Sequence, residues 1–333
     1  MTKLHTSVAV LQLVERGLIT PDEDVSHLIP TFASQEVLDG FTDEGAPITH
    51  KRRNPITLRY LLTHSSGAGY TFISKGLEKI AVWKKKPRNS GTIDEAFDLP
   101  LSFEPGEAYE YGSGIDRVGQ VVEKLTGQTL EDYMRENIWK PLGLNSTTFF
   151  PERNPGIQER RVPMAWRSDA TGPVVEKPGQ PTLTTGLKEP FGGQGLFATM
   201  DDYVKVLYSL LVDDEKLLKR ETTAKMFQPQ LNPASKASLL EKMKTPEWAV
   251  GDFPLTDEYD WGIGGILIDG DKHDYRRNGT LIWSGAANLF WFIDRKAGVC
   301  GCFGTQVLPA CDERIKPLIK AFEEEVYRIT GKL

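Results

Sequence analysis

MTKLHTSVAVLQLVERG, residues 1–17, decides how the rest of this chain folds. Leu4, Val8, Leu11 and Leu18 recur at helical spacing, and Val10, Leu13 and Val14 widen the stripe until the helix is almost wholly apolar. Gly17 supplies the C-terminal stop. A helix that is apolar all round must be sheathed by other elements, so it is expected at the centre of the molecule. No Ser, Thr, Asp or Asn precedes it as a cap.

Lys3 stands out in that helix, because a helix N-terminus disfavours cations. It reads two ways. It is a lysine that snorkels off the helix end into water, or it closes a Ser-x-x-Lys motif whose serine would directly precede Met1. In such a motif both side chains project from one helical face. A lysine amine depressed in pKa by burial then takes the hydroxyl proton of the serine. The serine is not among the 333 residues, so the chain as it stands is expected to lack the nucleophile and to be inactive.

Composition narrows the function. The 333 residues hold 40 Lys and Arg against 46 Asp and Glu, a net charge of −6 with His neutral. The basic runs Lys51-Arg52-Arg53 and Lys84-Lys85-Lys86 are too short to suggest nucleic acid on that background and read as solvated loops. Three cysteines argue against a disulfide framework and suit a reducing compartment. No run approaches membrane-spanning length, and Gln12 and Glu15-Arg16 break up what could pass for a signal peptide. A cytoplasmic protein that binds neither nucleic acid nor membrane is the expectation.

Along the chain, Thr20-Pro21-Asp22-Glu23 has the form of a capping box opening a helix, and a loop-rich section is expected from there to about Arg53. Thr57 caps a short helix on Leu58, Leu61 and Leu62 that ends at Ser65-Ser66-Gly67. Residues 71–100 carry no strong period and read as a surface excursion with one helix. An amphipathic helix runs from Asp116 through Val118, Val121, Val122 and Leu125 to Gly127, and another covers Leu130 to Trp139. Residues 150–195 are rich in Pro and Gly, with a hairpin signal around Met164 to Val175. Leu196 to Leu211 reads as a helix whose N-terminus is marked by Thr199 and Asp201-Asp202. Beyond it, Trp261 to Ile268, His273 to Arg277, Asn288 to Ile293 and Val299 to Gly304 are strand-like and separated by tight turns, which implies an antiparallel sheet. A closing amphipathic helix carries Ile315, Leu318, Ile319, Phe322 and Val326.

Several separate motifs now converge. Met1-Thr2-Lys3 on a Leu/Val-rich helix, Pro55 to Gly67, Pro105-Gly106, Tyr111-Gly112-Ser113, Pro141-Leu-Gly-Leu144, Gly192 to Thr199 and Trp283-Ser284-Gly285 fall in one order. Together they make the chain resemble the serine β-lactamase-like superfamily, in its class C-type branch of esterases, D-aminopeptidases and acyltransferases. Within that branch it looks most like the fungal transesterases that acylate polyketides. The resemblance implies an α+β fold of the β-lactamase/transpeptidase type, an antiparallel sheet flanked by helices. It also implies one domain over 1–333, incomplete at its N-terminus, with a mostly helical region inserted at 20–195 and the last helix, strands and closing helix in 196–333. Strands ahead of the first helix would complete the sheet.

The same resemblance assigns the site. Lys3 and Tyr111 would be catalytic, the phenol relaying a proton between nucleophile and leaving group; a packed aromatic is the other reading of Tyr111. Ser113 would hydrogen-bond in the cleft, or simply serve its turn. Trp283-Ser284-Gly285 falls where relatives carry Lys-Thr-Gly, and the Ala286 amide would be one oxyanion donor. Trp283 in place of a cation disfavours a β-lactamase or peptidase proper and favours an uncharged acyl substrate, although core packing would also explain it. His64 at a helix end reads as structural, and Ser66 and Ser113 have no base at motif spacing. No phosphate loop, Gly-x-Ser-x-Gly elbow or histidine metal motif occurs, so no cofactor and no metal is expected. The expected activity is that of a serine acyl hydrolase or acyltransferase of secondary metabolism, taking a small-molecule ester or thioester, with an acyl-carrier protein as a further donor. A non-catalytic relative that keeps the cleft for binding is the rival.

Overall fold

The computed structural model describes residues 1–86, 90–180, 182 and 184–333, so parts of the 71–100 excursion and of the 150–195 stretch lie outside the described residues. Helix α1, Thr2–Glu15, is buried at every position from Thr2 to Leu13. An unpaired buried polar group costs on the order of 1–3 kcal/mol, and most polar side chains of the helix find partners, although Ser7 Oγ and His5 Nε2 have none among the described residues. Gln12 donates to the carbonyls of Asn137 at 3.0 Å and Leu217 at 2.9 Å and accepts from the Tyr133 hydroxyl at 3.1 Å. Thr6 donates to Gly192 O at 2.6 Å, and the Trp139 indole donates to His5 Nδ1 at 3.3 Å. Gly17, at φ 69°, ends the helix as expected, and its N–H returns to Val14 O at 3.0 Å.

The Thr20–Glu23 segment forms a turn and no helix. The Thr20 N–H does meet Glu23 Oε2 at 3.1 Å, but the cap that follows is Asp24, which opens the single 3-10 turn Val25–His27. The section expected to be loops up to Arg53 holds a hairpin, β1 (Glu36–Phe41) against β2 (Pro47–Lys51). Helix α2, Leu58–Leu62, is capped by Thr57, which accepts the Tyr60 N–H at 3.2 Å. Helix α3, Gly114–Thr126, packs across α1. The predicted Leu130–Trp139 helix exists, but it widens into a π-helical turn at Arg135–Trp139. The hairpin signal near 164–175 corresponds to β3 (Ala165–Arg167) and β4 (Val174–Glu176). Residues 20–195 therefore carry two hairpins among their helices.

Helix α4, Met200–Val212, starts on Thr199 as expected. The sheet that follows is an antiparallel meander of β5 (Tyr259–Trp261), β6 (Ile266–Ile268), β7 (Leu281–Gly285), β8 (Leu289–Asp294) and β9 (Val299–Phe303), paired in that order. Two strand readings need correction. Trp261 to Ile268 is two strands, because the chain reverses where Gly262 N–H reaches Gly265 O at 2.9 Å. His273 to Arg277 is no strand: β6 pairs directly with β7, and the Arg276 and Tyr275 side chains are committed to Glu323.

Glu323 lies on α5, Lys316–Ile329, which covers the sheet together with α4. Arg276 grips it with two hydrogen bonds of 2.7 and 2.6 Å, and both side chains are buried. A buried pair breaks asymmetrically, because deleting one member strands a charge. Glu323→Ala should therefore lower the unfolding free energy by about 3–5 kcal/mol, read from urea midpoints. Arg276→Met combined with Glu323→Leu should recover most of that loss; a double variant as weak as the single one would show that the pair does more than satisfy itself.

Candidate active site

The first turn of α1, the loop before α3, the loop at Phe191–Gly195 and the end of β7 meet at one point. Lys3 is 2% exposed, so the snorkelling reading fails. Its Nζ donates to Gly193 O at 2.8 Å and to the Tyr70 hydroxyl oxygen at 3.3 Å. It also lies 4.6 Å from the centre of the Tyr111 ring. The Tyr70 hydroxyl in turn donates to Asp116 Oδ2 at 2.7 Å, and Asp116 Oδ1 accepts the Gly193 N–H at 2.8 Å. Burial pushes the Asp116 carboxyl above its ordinary range, opposed by Lys3, Tyr70, Gly193 and Arg117. Burial, the Asp116 charge and Tyr111 raise the Tyr70 phenol well above its usual value, so it stays protonated.

Two glycines make this closeness attainable. A Cβ on Gly193 would stand 2.3 Å from Asp116 Oδ2 and 2.7 Å from the Tyr70 hydroxyl. One on Gly112 would stand 2.0 Å from Ala68 O. His64, at φ 56°, accepts the Gly112 N–H on Nδ1 at 3.2 Å and so fixes the segment that carries Tyr111. Burial and then the Lys3 charge hold its pKa well below the ordinary histidine value, so it remains neutral. The structural reading of His64 fits that place.

Tyr111 reaches the site. Its ring contacts Lys3, His64 at 4.7 Å and Trp283 at 5.1 Å, while its hydroxyl meets no protein partner among the described residues. Ser113 does not join them: its hydroxyl donates to Ala68 O at 3.3 Å, at the start of α3. Trp283 is 2% exposed and packs on Trp261 at 4.8 Å and Trp248 at 6.0 Å, so it is at once core and site wall. Ser284 O accepts from the Met1 nitrogen at 3.0 Å, which ties β7 to the first residue of α1. Gly285 lies beside Met1, where a Cβ would meet Met1 Cγ at 3.1 Å. Ala286, in the turn to β8, is exposed, and its N–H has no acceptor among the described residues.

Sequence reasoning missed Tyr70, Asp116, Gly193, Trp248 and Trp261. A signal existed for Asp116, an acid within an apolar helical stripe; for Tyr70 there was none. Among the described residues no cluster of His, Cys, Asp and Glu is arranged to hold a metal, and no helix is long and apolar enough to cross a membrane.

Comparisons with known proteins agree with this fold. Residues 1–319 match the family model described as "Beta-lactamase". The chain is 39% identical to lovastatin esterase of Penicillium rubens, covering 98% of this chain and 83% of that one. It is 37% identical to monacolin J acid methylbutanoyltransferase of Aspergillus terreus, over 98% of this chain and 80% of that protein. Its fold superposes on simvastatin synthase of Aspergillus terreus, a mutant form, with a TM-score of 0.92 at 37% identity, covering 100% of this chain and 80% of that one.

The turn ahead of the Tyr111 segment has its own pH signature. Glu104, 2% exposed, is pushed up by burial but held down at about 2 by the N–H groups of Asn54 and Arg53, His50 and the Arg53 guanidinium. A depressed carboxylate contributes stability above its ordinary 4.5 and loses it as pH falls toward about 2. His50, raised first by Asp39 and then by Glu104, has the opposite sign, and below its ordinary value it is charged in both states, so it adds no slope there. Glu104→Gln should flatten the acid limb of urea stability between pH 4.5 and about 2; an unchanged limb would remove Glu104 from this role.

Proposed function

The chain belongs to the β-lactamase family, and from that premise we propose that it works as an esterase or acyltransferase of secondary metabolism through a covalent acyl-serine. The nucleophile in this reading is a serine directly preceding Met1, one helical turn from Lys3. The observation that carries it is the setting of Lys3: buried, with two donors spent on Gly193 O and Tyr70.

The serine oxygen attacks the acyl carbonyl while its proton passes to the Lys3 amine. The charge that develops on the carbonyl oxygen is met by the free N–H of Ala286 and by the N–H of the serine itself. Collapse expels the alcohol or thiol, which takes its proton from Lys3 by way of the Tyr111 hydroxyl. Water or an acceptor hydroxyl then attacks the acyl-serine, giving hydrolysis or transfer. The wall of Trp283, Trp248 and Tyr111 suits an uncharged, largely apolar small-molecule ester or thioester. An acyl-carrier protein is a further donor in this reading.

The 333 residues alone should give no burst with a p-nitrophenyl ester, because removing the nucleophile of a unit-acting set costs on the order of 10⁶ in rate. The same chain extended by a segment ending in serine should give a burst, and one ending in alanine should not. Within the serine form, Lys3→Ala and Tyr111→Phe should each lower kcat by about 10²–10⁴, and the double variant should be little worse than either. Trp283→Lys should shift preference toward esters bearing a carboxylate. A burst from the alanine form, or strictly additive losses, would overturn the assignment.

A further inference from the structure

We propose that Asp116 is a positioning residue whose acceptor-only carboxylate fixes the direction of the hydrogen bonds that end on Lys3, leaving the amine lone pair free for the serine proton. The catalytic part of this inference rests on the acyl-transfer reading above; the hydrogen-bond direction does not.

An ionised carboxylate has no proton to give. Asp116 is fully buried, and it accepts from the Tyr70 hydroxyl at 2.7 Å and the Gly193 N–H at 2.8 Å. The single proton of the Tyr70 hydroxyl is thereby committed to Asp116, and the phenol oxygen turns only lone pairs toward Lys3 at 3.3 Å. The other acceptor of Lys3 is the carbonyl of Gly193, the same residue whose N–H Asp116 holds. One carboxylate thus sets both oxygens that the amine meets, and only glycine at 193 lets it come so near.

The consequence follows from the valences of a neutral primary amine, which has two N–H bonds and one lone pair. Two oxygens that can only accept consume both N–H bonds, so the lone pair is what remains. Were the Tyr70 hydroxyl to turn round, its proton would occupy that lone pair and the base would be blocked. Asn at 116 would bring this about with no change of shape. Its carbonyl oxygen can still accept from Gly193, which leaves its NH₂ opposite the Tyr70 oxygen; the NH₂ donates, and the phenol proton is turned onto Lys3.

Proton NMR of the 333-residue chain reads the direction without turnover. A slowly exchanging phenolic proton, identified by its loss in Tyr70→Phe, should show cross-peaks to the Gly193 amide, and in Asp116→Asn these should move to the Lys3 ε-methylene. Cross-peaks to Lys3 in the parent, or none that move in the variant, would overturn the proposal. In the serine-bearing form, Asp116→Asn should lower kcat by about 10²–10⁴ with KM little changed. Adding Tyr70→Phe to it should raise kcat again, because the blocking hydroxyl is gone. A purely structural role predicts the reverse, a further loss, and would contradict the proposal. A parent with no ester burst would count against the acyl-transfer reading, while the NMR outcome would still decide the hydrogen-bond direction.

Discussion

The buried amine of Lys3 is the constraint on which the rest of the site depends. Taking an amine out of water costs free energy, and only well-placed hydrogen-bond partners offset it. Here they come from far apart in the chain: the Gly193 carbonyl, the Tyr70 hydroxyl and, behind both, Asp116 at the start of the helix Gly114–Thr126. Burying Lys3 therefore requires three loops and two helices to converge. Gly112 lets its backbone come up to Ala68 O, and Gly193 leaves room for the Asp116 and Tyr70 side chains.

Aromatic side chains surround the same amine. Tyr111 and Tyr70 present their rings to Lys3, and Trp283, Trp248 and Trp261 close the region behind them. Such walls exclude water and strengthen the electrostatic contacts inside. His64, stripped of solvent beside Lys3, stays neutral and serves as an acceptor for the Gly112 N–H. The site thus holds Lys3 at its centre, with the buried Asp116 behind its two acceptors.

Much of the fold was legible because its signals are local. The continuous apolar run of the first helix, the Thr57 and Thr199 caps and the apolar runs of the last strands each depend on near neighbours in sequence. The hairpin Glu36–Phe41/Pro47–Lys51 escaped notice because its faces are mostly exposed or half-exposed and carry no apolar alternation. His273 to Arg277 misled for the opposite reason: its bulky side chains look strand-like but are recruited by Glu323 on the closing helix. In the site, short motifs singled out Lys3 and Tyr111, which the structure brings together, and of the two readings of Ser113 the structure shows the turn, its hydroxyl directed to Ala68 O. Tyr70 and Gly193 gain their meaning only from the tertiary meeting with Asp116, which no spacing along the chain encodes.

The assignment of Lys3 as the base for a serine before Met1 is tested most directly by covalent labelling. A form of the protein carrying that serine would be treated with a fluorophosphonate and the modified residue located by peptide mass mapping. The label is predicted on the added serine alone, at one per chain, and lost on Lys3→Ala. Label on Ser7, Ser66 or Ser113, or label on the added serine that persists without Lys3, would contradict it.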